Sequence, residues 1–451
     1  MKSKIEHFFK LNENNTNIKT ECIAGLTTFM TMSYIIFVEP TLLSITGMDF
    51  GAVMVATCIS SFIATLIMGI IANYPIALAA AMGHNAFFTF TVCGSATIGG
   101  LGFGWKGALA AVFIAGIIYF LLTLVGMREK LLTIVPLPLK YGIASGIGIF
   151  IAFIGMQWAG LVVPAPTIMV TMGDVQSPPV LLAIFGLLLM ATLMALKIRG
   201  SILIGILATI IVGLPFGLVQ INGIVAMPPS IAPTFFKMDF QELFSHPNFL
   251  DVVFFFLFLN IFDTIGTIIG VGQQGGFLDK DGHLPRSDKA LQADSCSAVI
   301  GSVLGCSTVT SYIESSAGIA AGARTGLANL FTALMFLVAL FFFPLVESVG
   351  KGCPGPGDTT LYPVVAPALI IVGSLMIKSI KLINWDEITD AIPAFLACIS
   401  MPFTYSISEG VSLGIISYTI LKLATGKGKE VNWFIYLIAF ILILRYIFLK
   451  A

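Results

Sequence analysis

Three polar side chains interrupt long apolar runs. Asp263 lies in FFFLFLNIFDTIGTIIG (254–270), Glu314 in TSYIESSAGIAAGARTG (310–326), and Asn85 in MGHNAFFTF (82–90). A carboxylate in hydrocarbon costs several kcal/mol, so such an acid faces a cavity, finds a partner, or carries a proton. The bland alternative for each acid is a structural hydrogen bond to a neighbouring helix. Asn85 adds an amide with both donors and acceptors. It follows Gly83, and Glu314 precedes a run of Ser, Gly and Ala, so each is expected near the start of a half-helix with free backbone N–H groups. Such a constellation suits a small, flat, polar ligand. Ser315 adjoins Glu314, and Phe87 and Phe88 offer rings for stacking, although most of the 37 phenylalanines must pack or face lipid.

Other polar groups have plainer readings. His84 is expected in a packed, hydrogen-bonded place rather than a proton relay. Glu39, in FVEP, is expected at a solvated helix end, and Arg324 at the end of its span. Gly318, Gly322 and Gly326 make two overlapping G-x-x-x-G spacings, a device for close helix packing in membranes. The cysteines (Cys22, Cys58, Cys93, Cys296, Cys306, Cys353, Cys398) form no C-x-x-C. That spacing argues against a metal site or a disulfide framework.

The elements that must position these residues are membrane helices. The 451 residues are 57% hydrophobic and 10% charged, with a mean hydropathy of +0.99; soluble domains are about 25% charged. Spans need about 20 apolar residues, and the runs are too long for barrel strands. The expected fold is an all-α polytopic membrane protein. Lys plus Arg balance Asp plus Glu at 23 each, which gives no reason to expect a nucleic-acid partner. Residues 1–20 lack an apolar core or cleavage site, so no cleaved signal peptide is expected.

Hydropathy places spans near 22–44, 51–73, 75–96, 106–126, 138–158, 179–197, 200–220, 248–272, 290–306, 308–321, 325–346, 361–379, 387–402 and 405–424. Spans three, ten and thirteen look short or interrupted, by Gly83, by Gly318, and by Pro393 with Pro402. Even-numbered spans are followed by Arg128/Lys130, Lys197/Arg199, Lys280/Arg286/Lys289, Arg324, Lys378/Lys381 and Lys422/Lys427/Lys429, which by the positive-inside rule puts the N-terminus in the cytoplasm. Segment 431–450 reads as a further span or an interfacial helix. Fourteen spans divide into two sevens of opposite orientation, and SILIGILATII (201–211) aligns with GVSLGIISYTI (410–420) in support of a repeat. Paired broken segments point to a transporter's midplane site.

The sequence resembles the AzgA-like purine (hypoxanthine/guanine/adenine) permeases of the nucleobase–ascorbate transporter superfamily. The matching blocks run through nearly the whole chain and include MGHNAFF (82–88), FDTIGT (262–267), ALQAD (290–294) and STVTSYIESSAGIAAGARTGL (307–327). The resemblance implies a 7+7 inverted repeat, with spans three and ten each opening on a short extended segment. It implies a cytoplasmic tail (1–20), a core domain (21–126 and 248–346), a gate domain (127–220 and 347–424), an extracytoplasmic loop (221–247) and a C-terminal apolar helix (425–451).

It further implies proton symport of purine nucleobases by alternating access in the cell membrane, driven by the proton gradient without a cofactor. Asn85, Asp263 and Glu314 would contact substrate, with Phe87 and Ser315 beside them, and Glu314 or Asp263 would load the proton. Departures fall at His84, where relatives usually carry Leu, and Glu39, where they carry Asn; both are expected to modulate transport. The alternative is an anion transporter or exchanger of sulfate-permease-like architecture, which two acids at the site would oppose. An intramembrane enzyme is not expected, and a homodimer is one assembly the sequence allows.

Overall fold

The computed structural model describes residues 2–95, 100–125, 135–165, 167–279, 284–356 and 359–448. Arg128, Lys130 and Lys280 of the charge pattern, and the end of the third expected span at Ala96, lie outside the described residues.

The first half runs α1 (Lys2–Phe8), α2 (Ile18–Met32), α3 (Ile35–Ser44), α4 (Phe50–Ile67), β1 (Leu78–Ala80), α5 (Met82–Ala86, continued by a π-helical stretch to Val92), α6 (Trp105–Leu124), α7 (Leu137–Trp158), a β2–β3 hairpin (Val162–Ala165 and Met169–Met172), α8 (Pro178–Ala195) and α9 (Ser201–Gly213). The second half runs α10 (Phe240–Ser245), α11 (Phe249–Gly275), α12 (Ser287–Leu304), β4 (Val309–Ser311), α13 (Ser315–Ala320), α14 (Leu327–Ala339), α15 (Phe343–Gly350), a β5–β6 hairpin (Cys353–Pro354 and Thr360–Leu361), α16 (Ala366–Met376), α17 (Ile388–Thr404), α18 (Ile407–Ala424) and finally α19 (Trp433–Phe448). The chain is a mostly helical, multi-pass membrane protein. Among the described residues, eight helical segments are long and apolar enough to cross a bilayer, and three more apolar helices are shorter.

Two packing units separate. In one, α12 lies against α6, α14 against α2 and α4, and α11 against α6. In the other, α17 packs between α7 and α18, and α16 covers α7. The aligned repeat is a packing repeat as well. A Cβ on Gly205 of α9 would meet Met190 of α8 at 2.2 Å, and one on Gly414 of α18 would meet Ala397 of α17 at 2.8 Å. Each glycine thus lets its helix lie on the helix before it.

Several expectations change. Gly83 and Gly318 do not break their helices; both lie inside them, and the breaks are the strands upstream. Gly318 serves packing, since a Cβ there would fall 2.0 Å from the Thr28 hydroxyl. The two G-x-x-x-G spacings do not share one helix, because α13 ends at Ala320 and Gly322 has φ +112°. The thirteenth segment is short, yet α17 runs through Pro393 and Pro402 without interruption. Within the polar tail, Phe9 and Leu11 bury against Leu327.

A close backbone approach joins the α4 end to the start of α14. A Cβ on Gly326 would lie 2.0 Å from the carbonyl oxygen of Gly69, while the Gly326 N–H donates to the Asn73 side chain at 2.7 Å. Overpacking costs about 1–3 kcal/mol. Gly326→Ala should therefore lower the melting temperature of the purified protein in detergent, and a melting curve superimposable on wild type would refute the contact.

Candidate functional site

The site is built on a junction of two three-residue strands. β1 and β4 pair antiparallel, with Leu78 opposite Ser311, Ala79 opposite Thr310 and Ala80 opposite Val309. The pairing extends outward as Ala81 N–H donates to the Thr308 carbonyl and Tyr312 N–H to the Ala77 carbonyl, both at 2.9 Å. Extended backbone at this depth needs every N–H and C=O satisfied by protein. Thr65 does this for the outer edge of β1, accepting from Leu78 N–H at 3.0 Å and donating to the Leu78 carbonyl at 2.9 Å. Asn329 donates to the Ile76 carbonyl at 2.7 Å. Ser315, expected near substrate, accepts the Ala77 N–H at 2.9 Å and is fully buried; its place is at the seam of the two segments.

Asp294 holds the other side. Its carboxylate accepts from Ser311 N–H at 2.8 Å, Ser311 Oγ at 2.7 Å, Thr310 Oγ1 at 3.2 Å, and the Thr264 hydroxyl. The sequence reading missed this residue by placing it at a span end. The available signal was a set of hydroxyls, Thr264 beside Asp263 and the Thr310–Ser311 pair, that leave an acid well supplied with donors.

The two expected acids come together at this junction. Asp263 projects from the middle of α11 with its side chain 39% exposed, so it faces an open space rather than packed protein. Glu314 stands directly before α13, partly exposed, and its Oε1 accepts the Tyr34 hydroxyl at 2.8 Å. The helix that carries Asp263, α11, packs against β4 and α13, so the two acids stand on neighbouring elements. Tyr34 and Tyr312 stand with ring centres 6.5 Å apart, and the Tyr312 hydroxyl donates to the Ala80 carbonyl. Neither tyrosine was picked out from sequence.

The third expected contact turns elsewhere. Asn85 is buried, and its side-chain N–H₂ donates to Glu39 Oε2. Glu39 is not a solvated helix end. The α3 helix continues through Pro40 to Ser44, and the acid is wholly buried within it. His84 is buried as expected, but among the described residues neither ring nitrogen makes a hydrogen bond of good geometry; Nδ1 lies 3.9 Å from Asp263 Oδ2. Phe87 is 1% exposed and packs against Phe255 and Phe256, with ring centres 6.0 and 5.0 Å away, so it is part of the core in this conformation. Arg324 caps carbonyls, donating to those of Ile319 and Ala323. Among the described residues no group of His, Cys, Asp and Glu is arranged to hold a metal ion.

Replacing Asp294 by Asn would turn one buried donor toward others, and an unsatisfied buried group costs about 1–3 kcal/mol. Asp294→Asn should melt at a lower temperature than the wild type; equal melting would mean that the network does not hold β4.

Comparison with known proteins places this arrangement. The guanine/hypoxanthine permease PbuG of Bacillus subtilis is 44% identical over 98% of this chain and 99% of its own length. The adenine permease AdeP of Escherichia coli is 40% identical over 99% of this chain and 97% of its own. The transmembrane domain of the cyanobacterial bicarbonate transporter BicA superposes with a TM-score of 0.63 at 15% identity, covering 87% of this chain and 97% of that one, and so shares the inverted-repeat fold. The Permease family model matches residues 19–413, and the chain belongs to that family.

Proposed function

We propose that the protein is a proton-coupled importer of purine nucleobases. The observation that carries the reading is the meeting of Asp263 and Glu314, both partly exposed, at the paired strands of two broken helices. A purine base presents ring N–H and exocyclic groups in one plane, and two carboxylates offer acceptors for them. Relatives named as guanine/hypoxanthine and adenine permeases, alike over almost the full chain, support that cargo. The anion-exchanger alternative has only fold likeness behind it, and two acids at one site oppose an anion.

In this mechanism Glu314 takes a proton and keeps its geometry through Tyr34, while Asp263 binds a ring N–H. Asn85 orients the entry of α5 from behind, through Glu39, and His84 shapes the floor beside Asp263. Protonation of an acid removes a charge that would otherwise have to move through hydrocarbon, which couples proton and base movement. Alternating access follows from displacement of the unit carrying the strands against the α7–α17–α18 unit.

Uptake of labelled hypoxanthine into proteoliposomes, with and without an inward proton gradient, tests the reading. Glu314→Gln should abolish stimulation by the gradient, and gradient-driven uptake at the wild-type rate would remove Glu314 from coupling. Asp263→Asn should weaken base binding about tenfold or more, the worth of one hydrogen bond to a charged group. Wild-type affinity in that variant would place the cargo elsewhere.

A further inference from the structure

The family match ends at residue 413, within α18; beyond it the chain continues into α19, which runs antiparallel to α18 along its length. At one end Lys422 of α18 pairs with Glu430, just before α19, at 3.1 Å. At the other, Arg445 of α19 meets Glu409, in the first turn of α18, at 2.9 Å, and the Tyr446 hydroxyl donates to the same carboxylate. Buried Ile435, Ile438, Ala439 and Leu442 seat the helix.

Arg445 also reaches the other packing unit. Its Nε lies 3.1 Å from Asp251 Oδ2 in the first turn of α11, and its guanidinium stands 5.8 Å from the centre of the Phe255 ring, one turn further on. The three charged side chains are only 12–22% exposed, where ion pairs are less screened than on an open surface. Without Arg445, Asp251 and Glu409 would be two acids facing each other from different units. One cation turns a repulsive contact into an attractive one.

We propose that Arg445 is a positioning residue, a latch by which α19 ties the α11 unit to the α18 unit in the conformation described here and which releases when the units move. This inference rests on the alternating-access reading, not on the identity of the cargo. A latch biases an equilibrium between two arrangements by its differential contacts.

The test uses the full chain in proteoliposomes and detergent. Arg445→Gln removes the cation. Arg445→Lys keeps one cation between the two acids. In substrate-free protein, Arg445→Gln should speed hydrogen–deuterium exchange in residues 249–255 and 407–413 about fivefold or more, the low end of inter-site coupling. Exchange in α6 and α12 should be unchanged. Maximal hypoxanthine uptake should fall by a similar factor, because the return to the latched arrangement slows. Arg445→Lys should hold exchange and uptake to within about twofold of wild type, well inside that coupling.

Unchanged exchange in Arg445→Gln, exchange raised throughout the chain, or exchange and uptake in Arg445→Lys changed as far as in Arg445→Gln would overturn the latch. If wild-type protein carries no purine but local exchange follows this pattern, the latch stands and the cargo assignment falls.

Discussion

Two three-residue strands, paired within a bilayer, are the constraint on which the rest of the site depends. Backbone that leaves helical geometry in hydrocarbon must find its hydrogen bonds in protein. β1 and β4 satisfy each other, and Thr65, Asn329, Ser315 and Asp294 satisfy the groups left over. The partners come from α4, α12, α13 and α14, so these helices cannot shift separately without leaving polar groups unpaired. Glu314, at the head of α13, belongs to this network, and Thr264, which donates to Asp294, ties the helix of Asp263 to it.

This division of labour sorts the buried acids. Asp294 is saturated with donors and has no capacity left for a ligand. Among the described residues Glu314 has a single side-chain partner in Tyr34, and Asp263 has His84 at 3.9 Å and an open side. Acids with spare acceptors beside an open space are the ones that can bind and release. Glu39 is a third kind, closed off from the space and bonded to Asn85.

Sequence alone made much of this legible. Asp263 and Glu314 stood out because an acid amid Phe, Ile and small residues has no ordinary explanation, and the structure brings both to one place. The extended segments were not readable from hydropathy, since LAA and VTS are as apolar as the helices around them; only the family resemblance pointed there. Asp294 and Glu39 were misplaced for one physical reason. Window hydropathy locates a span's end to within a few residues, and that error decides whether an acid is wet or buried. Tyr34 and Tyr312 gave no signal because a tyrosine in a membrane helix is ordinary, and only its hydroxyl's partner makes it otherwise.

The pairing of Glu39 with Asn85 bears on the order in which the chain is assembled. The two residues are 46 positions apart, and the acid comes first. When the α2–α3 segment enters the bilayer, its carboxyl group has no amide to meet until α5 follows. The earliest integrated intermediate thus carries an unpaired acid held in lipid by Ile35, Ile36, Phe37, Val38, Leu42 and Leu43 around it. Completion of the third segment relieves that burden, which makes biogenesis of the first half directional.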